Sequence, residues 1–205
     1  MLHMDHLVVA CETLSAGVEY VEELLGAAMS AGGRHDFMGT HNALVSLGPN
    51  AYLEVIAIDP AATPPTRPRW FDLDRFSGPP RLTNWICRCT NPIDDLARAP
   101  LGIGAFTRAA RADLSWQITI PENGRLPYDG CFPGLIGWDG DAHPSQNLPD
   151  HHIRLEMLKL SHPLAADLAG FAQKMFENVK YEILKNDQVS IMARLQTPHG
   201  ARILT

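Results

Sequence analysis

Short apolar stretches alternate with turn residues along most of this chain. Asp5 to Ala10, rich in His-Leu-Val-Val, predicts a strand. Leu14, Val18, Val21, Leu24 and Leu25 then share one helical face, with Thr13 or Ser15 as cap and Gly26 as stop. Gly32-Gly33 reads as a turn, and Arg34–Met38, Asn42–Leu47 and Tyr52–Ile58 as three strands, the last two split by Gly48-Pro49-Asn50. Residues 59–81 break the pattern: Pro60, Pro64, Pro65, Pro68, Pro79 and Pro80 preclude a regular element, which leaves a long connection with Trp70 and Phe71 in its middle.

The order then recurs. Leu82–Thr90 predicts a strand, Asn91 caps a short helix opened by Pro92, and Phe106–Ala109, Ser115–Ile120 and Leu135–Trp138 predict three more strands. Past a polar stretch at 139–151, Ile153–Leu160 predicts a strand. Ser161 is the expected cap of a helix burying Leu164, Leu168, Phe171, Met175 and Phe176. Val179–Leu184, Val189–Leu195 and Ala201–Leu204 complete a third set. Strand starts near 5, 83 and 155 give a period of roughly 75 residues, a domain-scale module and not a solenoid unit. The expected class is α+β: repeated βαβββ modules at 1–58, 82–140 and 152–205, with 59–81 as the Pro-rich connection. Together they form one compact body of curved, mostly antiparallel sheets around a cleft.

Composition narrows the functional classes. A chain of 205 residues buries roughly 70% of its unfolded surface and needs no disulfide or metal to fold. No run of about 18 apolar residues predicts a membrane span, and Met1-Leu2-His3-Met4-Asp5 lacks the features of a signal peptide. A net charge of −6 argues against a nucleic-acid partner. Cys11, Cys87, Cys89 and Cys131 form no CxxC and read as reduced thiols of a cytoplasmic protein. Cys87 and Cys89 share a strand face, as small core hydrophobes would.

The first module, with His6-Leu7-Val8-Val9, Gly32-Gly33-Arg34-His35, Gly39-Thr40-His41-Asn42-Ala43-Leu44 and Tyr52-Leu53-Glu54, resembles the glyoxalase-like branch of the vicinal oxygen chelate superfamily. The second module is similar through Pro133-Gly134-Leu135-Ile136-Gly137-Trp138 and His143-Pro144, and the third only loosely. The resemblance implies two paired modules enclosing a cleft for a small-molecule substrate. It implies a divalent metal (Zn, Mn, Fe, Co or Ni) held by side chains of the first and fourth strands, and lyase, isomerase or dioxygenase chemistry. His6 and Glu54 match the ligand positions of the first module. Read as residues alone, a strand-end His also suits a hydrogen-bonded core, and strand alternation also permits Glu54 to face solvent.

The second module departs from the pattern, with Asn84 and Gly137 at the equivalent positions. His143, His152 or Glu156 would have to complete a metal site; adjacent His151 and His152 on a strand would face opposite ways. The departure favours an alternative, a small-molecule binding or sequestration protein with a degraded metal site. His41 is the candidate acid/base, and Asn42, Trp70, Trp85 and Trp138 are the candidate substrate contacts. Turn chemistry also accounts for His41-Asn42, and core packing for the tryptophans. Exposed sheet edges make a homodimer one expected assembly.

Overall fold

A computed structural model describes residues 1–111, 113–177 and 179–205. The first run holds β1 (Leu2–Ala10), α1 (Leu14–Leu25), β2 (Ser30–His35), β3 (Thr40–Ser46) and β4 (Tyr52–Ile58). The second holds β5 (Arg81–Cys89), α2 (Pro92–Arg98), β6 (Ala105–Arg111), β7 (Leu114–Ile120) and β8 (Gly134–Trp138). The two merge into one eight-stranded sheet of order β2-β3-β4-β1-β5-β8-β7-β6. Each run pairs its first and fourth strands in parallel, and β1 joins β5 antiparallel at the centre. The fold is the expected α+β class, with curled, mostly antiparallel sheets.

The last run holds β9 (Arg154–His162), α3 (Ala165–Met175), β10 (Tyr181–Lys185), β11 (Ser190–Thr197) and β12 (Gly200–Leu204). It repeats the element order with different wiring. In its separate sheet, β10-β9-β11-β12, the first strand pairs in parallel with the second strand of the run instead of the fourth. Ser161 lies within β9, so it does not cap α3. The N-cap residue there is Leu164, with no side-chain cap, and its N–H donates to His162 Nδ1 at 3.0 Å.

Local chemistry accounts for α1. The Thr13 hydroxyl accepts from the Ala16 N–H, and Gly26 ends the helix in the left-handed region at φ 66°. Gly17, Val21 and Leu25 form its buried face. A Cβ on Gly17 would sit 2.5 Å from both Cys11 Sγ and Val55 Cγ1, so the helix lies directly on β4. β4 therefore has helix on one face and cleft on the other, which explains its unbroken apolar run around a single buried carboxylate, Glu54.

β2 departs from expectation. It spans Ser30–His35, and the hairpin turn falls at Asp36–Gly39, where Gly39 has φ 59°. Gly32-Gly33 is no turn: the pair sits within β2, where the β2–β3 register shifts between Ala31 and Arg34. The cause is steric. A Cβ on Gly32 would lie 2.0 Å from Asn42 Oδ1, and one on Gly33 2.5 Å from Arg111 Cδ. The glycines let two site residues approach the backbone.

The Pro-rich connection contains a 3-10 stretch, Trp70–Arg75, in which Phe71 and Asp72 have φ of 59° and 57°. The four cysteines are free thiols. Burial pushes Cys11, Cys89 and Cys131 up to about 12 and Cys87 well above its usual range, in keeping with small core side chains. Among the described residues no helix is long and apolar enough to cross a membrane.

Candidate functional site

The site begins with an irregularity in β1. Pairing with β5 runs Met4 to Cys87 and then His6 to Ile86, so Asp5 is the extra residue of a bulge. On a regular strand Asp5 and His6 would face opposite ways. Here Asp5 Oδ1 lies 2.8 Å from His6 Nδ1. Asp5 Oδ2 accepts from Trp138 Nε1 at 3.0 Å and meets His143 Nε2 at 3.1 Å, with Arg88 Nε 4.0 Å away. Asp5 is fully buried. Burial acts to raise its pKa, but the hydrogen bonds and electrostatic attraction of His143 and His6 outweigh it. The carboxyl is held well below the usual carboxylate range.

An ionised Asp5 accepts a hydrogen bond from His6 Nδ1–H, which leaves the lone pair on His6 Nε2. That nitrogen sits 3.7 Å from Glu54 Oε2. The imidazole stacks on Tyr52 with centroids 4.6 Å apart and planes inclined by 16°. Both residues are buried, on parallel neighbours β1 and β4.

Asn42 organises the other side. Its Nδ2 donates to Glu54 Oε1, and its Oδ1 accepts from the Gly33 N–H at 2.8 Å and from Arg111 Nη1 at 2.9 Å. The amide thus separates a buried carboxylate from a guanidinium. Arg111 Nη1 also lies 3.4 Å from His35 Nε2, and His35 Nδ1 lies 3.1 Å from Thr40 Oγ1. Burial first, then the charge of Arg111, pushes the His35 pKa down to about 3. A neutral His35 accepts from Arg111 and donates to Thr40. Arg111 belongs to β6 and His35 to β2, the two edges of the eight-stranded sheet, so the curl of that sheet assembles this cluster.

His6, Glu54, Asn42, His35 and Arg111 line a cavity of about 30 Å³. Tyr52, Trp70, Phe71, Trp116 and Trp138 supply its aromatic walls. Five of the residues singled out from sequence, His6, Glu54, Asn42, Trp70 and Trp138, therefore meet here. His41 and Trp85 are not in its lining. His41 is the half-buried neighbour of Asn42 on β3. Trp85 is fully buried, donating from Nε1 to the Cys131 carbonyl at 3.1 Å and packing on Phe176.

On β8 the cavity residues are Ile136 and Trp138; Gly137 lies between them, beside Pro92 and Gln117. Asn84 lines a neighbouring groove of about 550 Å³, with Phe71 common to both spaces. His143 buttresses Asp5, and Glu156 pairs with Arg194 at 2.8 Å. Sequence reading passed over Asp5, whose adjacency to His6 implied the opposite face. It also passed over Arg111, a strand-end charge of the ordinary solvated kind. The Gly32-Gly33 pair was the available signal, since glycines inside a strand mark a close approach.

His6 Nε2 and Glu54 Oε2 are spaced to share one ion, but a third donor is missing. Asn42 Oδ1 is engaged by Gly33 and Arg111, and the β8 position is Ile136. Among the described residues no three His, Cys, Asp or Glu side chains converge. With a guanidinium beside them, the residues present do not fit an ordinary three- or four-ligand metal site.

Two βαβββ runs joined through their first strands around a buried polar cleft define the architecture of the vicinal oxygen chelate superfamily. The chain belongs to the glyoxalase-like domain family, which matches residues 4–176. No protein of curated function matches it. Among solved structures, a hypothetical protein from Staphylococcus aureus is similar at 12% identity and TM-score 0.62, over 93% of this chain and 88% of that one. Methylmalonyl-CoA epimerase from Mycobacterium tuberculosis aligns at 16% identity and TM-score 0.41, over 68% and 88%. A xylose isomerase-like TIM barrel/4-hydroxyphenylpyruvate dioxygenase fusion protein aligns at 16% identity and TM-score 0.44, over 97% of this chain and 31% of its own.

Proposed function

We propose that this chain is a small-molecule enzyme of isomerase or lyase type that moves a proton on a carbon beside a carbonyl group. One observation carries the reading: Asp5 holds His6 by Nδ1 and so leaves Nε2 as a base, 3.7 Å from Glu54, in a small cavity whose other wall is Arg111. In this scheme the C–H proton passes to His6 Nε2 and the bonding pair becomes an enolate. Arg111 balances the negative charge that appears. Return of the proton to the same or the neighbouring carbon gives an isomer, and departure of a group from the next carbon gives a lyase product. Such positioned acid–base groups are worth about 10²–10⁴-fold in rate.

The cavity volume supports a second reading, binding without turnover. About 30 Å³ holds a water or two, so any larger molecule has to shift part of the lining. The test is hydrogen–deuterium exchange in D2O against small aldehydes, ketones and oxo acids, followed by NMR. Exchange that falls about 10²-fold or more in His6→Gln or Glu54→Gln supports the enzyme. Ligand-induced thermal stabilisation without exchange supports the binder, and neither result with any compound removes both.

A further inference from the structure

Two side chains of the cavity carry polar groups without a matching partner among the described residues. Arg111 has no acidic side chain within 4.0 Å among the described residues, although it is the cation of a cavity that also contains Glu54. Among the described residues its hydrogen bonds go to Asn42 Oδ1 and His35 Nε2, both through Nη1, so those two neutral groups aim the guanidinium and its other donors have no partner there. The second is Trp70. It lines the same cavity at 4% exposure, and its Nε1–H is buried with no hydrogen-bond partner among the described residues. A buried donor left unpaired costs free energy, and Trp in such a setting usually finds a partner.

A guanidinium without an acidic partner and an indole N–H without an acceptor among the described residues, both on side chains that line one small aromatic cavity, call for the same thing, an anionic oxygen ligand. We propose that the cavity binds a small carboxylic acid, its carboxylate held by Arg111 and the Trp70 Nε1–H, with the reacting carbon turned toward His6 and Glu54. The proposal rests on the proton-transfer reading for the last clause only. The guanidinium fork suits carboxylate and phosphate alike, and a cavity of about 30 Å³ favours the smaller carboxylate. Repulsion from Glu54 is limited because the Asn42 amide stands between it and Arg111.

The test is calorimetric titration of the full chain at fixed ionic strength with acetate, propionate, glyoxylate and pyruvate. Acetamide, propionamide and inorganic phosphate serve as controls, with R111Q, R111K and W70F as variants and a thermal melt for each. Carboxylates are expected to bind and the controls not. R111Q and W70F should each weaken carboxylate binding about tenfold or more, as loss of a hydrogen bond to a charged group does. R111K, which keeps the charge without the fork, should fall between. Amides binding as tightly as their acids would overturn the proposal in the wild-type protein alone, even if R111Q fails to fold. So would unchanged carboxylate affinity in a folded R111Q or W70F. Arg111-dependent carboxylate binding without deuterium exchange keeps this inference and defeats proton transfer. Exchange on neutral carbonyl compounds without carboxylate binding does the reverse.

Discussion

Asp5→Asn tests the centre of the site. The wild-type carboxylate meets His6 Nδ1 at 2.8 Å, Trp138 Nε1 at 3.0 Å and His143 Nε2 at 3.1 Å while fully buried. Hydrogen bonds to a charged group contribute roughly 1.5–3 kcal/mol each. Asparagine retains one carbonyl oxygen and so keeps part of the set. It also turns an N–H toward donors, but removes the cost of burying a charge. Breaking such a buried charged network typically costs about 3–5 kcal/mol, and the retained acceptor places this variant near the lower end, about 3 kcal/mol. For a chain of this size that corresponds to a Tm lowered by roughly 6–12 °C at pH 7. Calorimetry measures the loss, and nitrogen-15 NMR of histidine reads the cause: His6 should carry its proton on Nδ1 in the wild type and lose that preference in the variant. The sign with pH follows from the depressed Asp5 pKa. Its stabilisation is present above the ordinary carboxylate range and is lost as pH falls through and below it, so the difference between the proteins should shrink in acid. A Tm change under about 2 °C, or an unchanged His6 tautomer, would refute the claim that Asp5 positions the imidazole.

Other outcomes follow from single positions. His35 titrates at about 3 when folded and near 6.5 when unfolded, so stability should rise with pH between those values, by up to about 1.4 kcal/mol per unit. His35→Asn should flatten that slope in melts taken at pH 4.5, 5.5 and 7. Gly33→Ala places a methyl 2.5 Å from Arg111 Cδ, and should cost about 1–3 kcal/mol in denaturant melts and reduce carboxylate binding. Gly17→Ala sets helix propensity, a gain of about 1 kcal/mol, against overpacking onto Cys11 and Val55, a loss of about 1–3 kcal/mol. A net loss in urea titration is expected, and a more stable variant would show that α1 can lift from β4.

The elements themselves were legible along the chain because their causes are local. Apolar runs bounded by turn residues mark β3 and β4, and Thr13 and Gly26 bracket α1 through side-chain and backbone geometry within a few residues. Five of the cavity residues, His6, Glu54, Asn42, Trp70 and Trp138, were singled out too, His6 and Glu54 because they match the ligand positions of the family that the first module resembles. Three-dimensional packing decided the rest. The third run has the same element order as the first, and nothing local says whether its second or its fourth strand lies beside its first. The bulge that turns Asp5 toward His6 exists only in the pairing of β1 with β5, strands some eighty residues apart in the chain. Arg111 reaches Asn42 because a sheet of eight strands curls until its edges meet. Periodicity and turn chemistry are free energies of neighbouring residues. Register, curvature and the meeting of edges are free energies of distant ones, settled only when the whole sheet packs.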